Sequence, residues 1–470
     1  MKSENKNFLY NVAYQIIIYL FPLATVPYIS RVLGVDNIGI YSYTYSIVNC
    51  LMLFAMLGIS NYGNREISKL RDDKEKMSKM FFSIYGLQLI SSLIILIIYT
   101  IFILFFCKSY KDIFVLQYIN LISVCFDVSW FFFGLEKFKM TINRNIIIKF
   151  ISLICIFLFV KTKNDLWIYT VIMGLGVLIS QLYLILKLKD YVSLQRVNLK
   201  DIFGHLKKCL ILFIPVLAYS IYRIMDKTMI GYFSSVTELG YYENAEKIIN
   251  IPISIITALG TVMLPRMSYI LNKNKEKYKS QILESMKLAL ILSVTMALGL
   301  ILIGKDAAII LFGSEYLKSG NIIMILAITI IASAWSNVVR TQYLIPTNED
   351  KIYVYSTLYG AILNFLINII LIKKMGAYGA CVGTIFAEFF VMIYQTVATR
   401  KELEVRKYLR ILLECITKGI LIIAIAYMCS YIISNIYIKV SVQIVISIVV
   451  FIILNFNFIV KDFFNIKKRI

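Results

Sequence analysis

Arg223, Asp226 and Lys227 fall within one short stretch of an otherwise apolar segment, residues 209–233. In a helix the i, i+4 spacing of Arg223 and Lys227 puts both cations on one face, with Asp226 nearly on it. Turned toward lipid at mid-membrane depth, each charge would cost at least ~2.5 kcal/mol. That face must therefore meet protein or a water-filled cavity. Two chemistries are open to it. Arg223 and Asp226 can compensate each other and simply hold the helix in its bundle. Alternatively the cations form a wall for an anionic ligand, whose oxygens suit the forked donors of arginine.

A second constellation is neutral and rich in oxygen. Asn364 and Asn368 are spaced i, i+4 in segment 352–372, and Thr384 precedes Glu388 by one turn in segment 378–398. Amide and hydroxyl oxygens suit a hard monovalent cation; the same groups also serve as hydrogen-bonding glue between membrane helices. Arg340 follows Trp335 and Asn337 near the end of segment 320–344. It is placed either to capture a headgroup or to snorkel to the interface. Asp127 lies between Phe126 and Trp130 without a partner in its own segment. It is hydrogen-bonded, protonated or paired with a cation from another helix. The 8 cysteines form no Cys-x-x-Cys pair and His205 is the sole histidine, so a metal centre or disulfide framework is not expected. No phosphate-cradling glycine loop or nucleophile elbow is present in the sequence.

The elements that must position these residues are membrane helices. The chain is 60% hydrophobic with a mean hydropathy of +0.78. Apolar runs recur at 8–29, 38–60, 81–106, 112–134, 146–160, 166–186, 209–233, 245–265, 282–304, 320–344, 352–372, 378–398, 411–433 and 440–460. Runs of this length cross a bilayer as helices, because a barrel strand would alternate. The expected class is an all-α integral membrane protein of about fourteen spans. The segments between runs are short, the longest being 61–80 and 187–208, which leaves no room for a catalytic domain outside the membrane.

The net charge of +22 invites a nucleic-acid partner, but its distribution argues against one. The inter-run segments 1–7, 61–80, 135–145, 187–208, 266–281, 345–351, 399–410 and 461–470 carry 32 basic residues, and the alternate ones carry 10. This alternation is the positive-inside pattern, and it predicts that both termini are cytoplasmic.

The two halves also echo each other. Gly39, Tyr41, Ile47 and Asn49 recur as Gly240, Tyr242, Ile248 and Asn250 at a fixed offset of 201. Pro22 and Pro215 lie in the corresponding preceding helices, and with Pro252 they are candidate bending points. A parallel repeat places an N-lobe at 1–186, a cytoplasmic linker at 187–208, a C-lobe at 209–398, and two further helices with a tail at 399–470. Transporters built this way carry the substrate path between the repeats.

The run from Ser30-Arg31 through Gly34 to Gly39 and Tyr41 resembles the start of the bacterial polysaccharide repeat-unit flippases. These belong to the multidrug/oligosaccharidyl-lipid/polysaccharide exporter superfamily. So do Ile214-Pro215 through Asp226, Lys227 and Gly231, then Gly240 to Lys247, Leu264-Pro265-Arg266, and Gly376 to Ala380. The resemblance extends over the whole chain. It implies translocation of undecaprenyl-pyrophosphate-linked oligosaccharide across the bacterial cytoplasmic membrane by alternating access, without enzymatic chemistry. The product would feed a capsule or exopolysaccharide, alongside a polymerase and chain-length machinery. With pyrophosphate as the ligand, Arg223 and Lys227 are the expected recognition residues with Asp226 orienting or neutralising them, Arg31 matches the family's arginine, and Arg340 is placed to capture headgroup on the inner side. From related cell-wall lipid flippases the resemblance implies a sodium site at Asp226, Asn364, Asn368, Ala380 and Thr384, with Glu388 as an alternative proton carrier. Asn368 stands where that family pattern has a carboxylate, which lowers the charge of the site. The competing readings are a cation-coupled multidrug exporter of the same superfamily and a membrane polymerase or glycosyltransferase.

Overall fold

A computed structural model describes residues 2–271 and 273–455, with the side chains of 2–23, 215, 218, 219 and 221–223 outside the description. Arg223 is among these. Ten helices make up most of the chain to residue 233: α1 (Lys2–Met56), α2 (Ile59–Leu70), α3 (Lys74–Ile101), α4 (Lys111–Leu116), α5 (Tyr118–Cys125), α6 (Ser129–Gly134), α7 (Phe138–Phe159), α8 (Leu166–Leu188), α9 (Leu199–Phe203) and α10 (Leu206–Phe233). Eight more follow: α11 (Val236–Leu271), α12 (Lys275–Phe312), α13 (Leu317–Leu326), α14 (Thr329–Val339), α15 (Asp350–Met375), α16 (Ala377–Thr399), α17 (Val405–Ser430) and α18 (Ile436–Leu454). Among the described residues there is no strand.

The fold is that of a multi-pass membrane protein. Eleven helices among the described residues are long and apolar enough to span, or twelve if the bent pair at 314–344 is one span. Fourteen remains the sequence-based expectation. The first two expected spans share α1, which breaks at Gly34, where φ is 77°. The fifth expected span, 146–160, is longer than the hydropathy run suggests, because α7 begins at Phe138 with a polar, basic first turn. Large apolar side chains stay on the surface, such as Phe105, 75% exposed, and Ile432, 92% exposed. In water that surface would be a liability; in a bilayer it is the solvent-facing side.

Helix breaks fall at positions that hydropathy did not mark. Expected span 112–134 is three short helices, and Asp127 occupies the last break. Its Oδ1 accepts the Ser129 backbone N–H at 3.0 Å, an Asx turn leading into α6. A second break bends α13 against α14 by 42°. The backbone of α11, by contrast, continues as helix through Pro252 and Pro265.

The chain packs as two compact units, Met1–Gly240 and Tyr241–Ile470. In the first, Trp130 lies buried against Phe81 and Phe131, and its indole N–H donates to Gln88 Oε1 at 2.9 Å. The Gln88 amide donates in turn to the Val124 and Asp127 carbonyls. The Val124 and Asp127 carbonyls at the α5–α6 break thus each have a side-chain partner. The second unit repeats the device. Trp335 is buried against Tyr408, its N–H donating to Thr396 Oγ1 at 2.8 Å.

Candidate functional site

In the first unit α10 runs antiparallel along the second half of α1. Ser46 and Thr228 hydroxyls lie 3.0 Å apart, and a Cβ placed on Gly231 would meet the Tyr43 ring at 2.2 Å. Asp226 is 4% exposed, so this carboxylate is taken into the packing. Lys227 is half-buried on the next position. The side chain of Arg223 lies outside the described residues, although its backbone is helical. Arg31 is exposed on α1, one turn before the Gly34 break.

Of the residues matched between the two halves, Gly39 and Gly240 pack directly on each other. A Cβ on Gly39 would lie 1.8 Å from the Val236 carbonyl oxygen, and one on Gly240 would lie 2.2 Å from that of Val35. Between them the Thr237 hydroxyl donates to Asp36 Oδ1 at 2.6 Å. Val35 and Val236, Asp36 and Thr237, and Gly39 and Gly240 are all pairs at the offset of 201. The start of α11 and the Gly34–Gly39 stretch of α1 therefore meet about a local two-fold, each glycine receiving the other segment's backbone. Only glycine permits that approach. The sequence marked these glycines as matching, but matching says nothing about contact.

In the second unit the oxygen-rich residues gather on the α15–α16 pair. Asn364 and Asn368 are both fully buried, and Asn368 Nδ2 donates to Asn364 Oδ1 at 3.0 Å. Asn364 Nδ2 has no hydrogen-bond partner among the described residues. A Cβ on Gly383 would sit 2.1 Å from Asn368 Oδ1, so this glycine is the notch that admits the amide. One position on, Thr384 Oγ1 donates to the Ala380 carbonyl at 3.0 Å and lies 3.3 Å from Tyr242 Oη on α11. Further along α16, Glu388 Oε2 accepts the Ser333 hydroxyl at 2.6 Å. Asn364, Asn368, Ala380 and Thr384 thus occupy adjoining turns of two packed helices. Glu388 is engaged separately with α14.

Arg340 opens a π-helical turn after α14. Its Nη2 donates to Asn337 Oδ1 at 2.8 Å, and its guanidinium lies 5.4 Å from the centre of the Tyr353 ring. These contacts hold it within the second unit, away from the amide pair's helices except at the start of α15. Tyr242, Ser333 and Gly383 did not figure among the candidate residues. The small-residue spacing Gly379, Gly383, Ala387 was a readable signal of close helix packing. The hydroxyl partners carried no signal at all.

Comparison with known proteins follows the same lines. The family described as "Polysaccharide biosynthesis protein" matches residues 5–271, and "Lipid II flippase MurJ" matches 146–454. A Shigella dysenteriae protein named for O-antigen transport is 24% identical over 388 residues, covering 81% of this chain and 96% of that protein. An Escherichia coli K12 protein named for the same role is 23% identical, covering 83% and 95%. Among solved structures, lipid II flippase MurJ in its inward closed conformation superposes with a TM-score of 0.68 at 16% identity, covering 94% of this chain and 99% of that one. An inward-facing multidrug transporter of the MATE family superposes at 0.59 and 13% identity, covering 84% and 97%.

Proposed function

The chain belongs to the polysaccharide biosynthesis protein family, and from that premise we propose that it is a flippase for lipid-linked oligosaccharide repeat units. The lipid carrier is undecaprenyl pyrophosphate, and the membrane is the bacterial cytoplasmic membrane, with both termini inside. Relatives named for O-antigen transport along nearly their whole length support this reading. The observation that carries it is the charged turn of α10, where Asp226 is buried among apolar helices with Lys227 beside it. A charged headgroup cannot cross hydrocarbon unaided, and a turn with a buried acid and a half-buried Lys227 offers it charged partners away from lipid. Arg223 and Lys227 take the pyrophosphate, Asp226 orients or neutralises them, and Arg31 and Arg340 attract headgroup nearer the surfaces. The protein moves its substrate without altering a covalent bond, and hands it to a polymerase and chain-length machinery.

Transport proceeds by alternating access between an N-lobe and a C-lobe. In that cycle the Gly39–Gly240 crossing is a seal that opens once per turnover. A monovalent cation, sodium or proton, drives the cycle. Asn364, Asn368, Ala380 and Thr384 supply neutral hard oxygens that fit sodium in type, and Asp226 supplies the carboxylate. Glu388 is the alternative proton carrier. Binding at Asp226 would release Arg223 toward pyrophosphate, which gives the two ligands the differential affinity that coupling requires.

Deleting the gene and assaying surface polysaccharide tests the function. Loss of polymer, restored by the intact gene, is expected. Normal polymer with altered resistance to cationic dyes would instead identify a multidrug exporter.

A further inference from the structure

Apart from the α10 site, the first unit holds a cavity of about 690 Å³ between α7 and α8. Its lining is sorted by chemistry along the helix axes. Lys137 and Lys139 stand at one end and Ile147 and Ile148 at the other, with Arg144 between them, level with Ser180 of α8. From Lys139 to Ile147 the helical rise is about 12 Å, which separates a charged head region from an apolar groove. Lys137 and Lys139 are exposed. Arg144 is 7% exposed, its Nη1 donating to the Ser180 carbonyl at 2.9 Å and its Nη2 to Asn145 Oδ1 at 2.9 Å. These contacts fix the guanidinium beside the two lysines. The one acid among the described lining residues, Glu136, lies 3.3 Å from Arg71.

The apolar end is open to the surroundings, with Ile147 and Ile179 each more than half exposed. In a membrane-spanning helix those side chains meet acyl chains. The basic end belongs to segment 135–145, which the alternation of loop charge puts on the cytoplasmic side. Basic pockets between helices on that side suit acidic lipid headgroups.

We propose that this cavity binds an anionic phospholipid of the cytoplasmic leaflet. Its phosphate sits against Lys137, Lys139 and Arg144, and one acyl chain lies along Ile147, Ile148 and Ile179. The site is separate from substrate recognition at α10 and does not depend on that reading.

Native mass spectrometry of the purified full chain, titrated with dioleoylphosphatidylglycerol or dioleoylphosphatidylcholine, tests it. Wild-type protein should retain phosphatidylglycerol about tenfold better. Lys137→Gln with Lys139→Gln should remove about that preference and leave phosphatidylcholine unchanged. Both lysines are exposed, so this variant should fold even if Arg144→Gln does not. Ile147→Ser with Ile179→Ser should weaken phosphatidylglycerol retention severalfold. Equal retention of the two lipids, or full preference in the folded double lysine variant, would overturn the proposal. So would displacement of phosphatidylglycerol by excess inorganic phosphate combined with no effect of the isoleucine variant, since the site would then serve a soluble anion.

Discussion

Both units use a glycine to bring two helices unusually close, yet they put different things in the gap. At Gly39 and Gly240 the gap is filled by backbone carbonyls of Val236 and Val35. At Gly383 it is filled by the end of the Asn368 amide. The first contact is reciprocal, backbone against glycine, with the Thr237–Asp36 hydrogen bond beside it. The second puts a hydrogen-bonding group at a helix–helix contact where Asn364 and Thr384 are within a turn. A glycine that admits backbone makes a tight joint, and one that admits an amide makes a polar contact. The composition is the same, and the partner decides the use.

The largest effect should come from preventing the first contact from parting. Asp36→Cys with Thr237→Cys, crosslinked, should abolish polysaccharide export, and reduction should restore it. Undiminished export by the crosslinked protein would mean that the crossing is a fixed joint. Next comes Gly39→Ala. Its methyl would meet a backbone oxygen that no rotamer change can move, so overpacking of about 1–3 kcal/mol is expected. Gly383→Ala can be relieved by rotating Asn368, at about 1 kcal/mol for the lost amide bond. Thermal melts of the two variants would measure the contrast, and equal losses would erase it.

Arg223→Lys tests whether headgroup recognition belongs to the first unit. Charge is kept and the fork is lost, so export should fall about tenfold, with membrane insertion unchanged. Asn368→Asp tests the second. It restores a carboxylate at the amide notch and should increase sodium dependence of transport by a few fold at most. Transport by reconstituted protein that ignores both sodium and pH gradients would leave the notch as packing.

The smallest effect is at the opposite end of α10, where His205 Nδ1 lies 2.8 Å from Tyr62 Oη. Burial, then the nearby Lys208 charge, hold this imidazole below its ordinary range. Because the folded state resists protonation, its contribution to stability is complete above the ordinary histidine range and declines as pH falls through the lowered value. His205→Gln should flatten that part of the melting-temperature profile by a degree or so, roughly. An unchanged profile would remove His205 from the packing account.

Much of the architecture follows from composition and order. Apolar runs long enough to cross hydrocarbon leave the backbone no choice but helix, and loop charge sets an expected orientation. The matched residues at offset 201 marked Gly39 and Gly240, and the i, i+4 amides marked Asn364 and Asn368, since helical periodicity is a local property. Where the helices break was less legible. Asp127 lacked a partner in sequence because its partner is a backbone N–H exposed only once α5 ends. Arg340 offered two roles until Asn337 and Tyr353 were placed around it. Tertiary structure alone decided that Gly383 faces Asn368, that Thr384 meets Tyr242, and that Gly39 meets Val236. Those contacts join residues distant along the chain, and they depend on helix rotation and crossing. Hydropathy constrains neither, because in a bilayer an apolar residue is at home facing either lipid or protein.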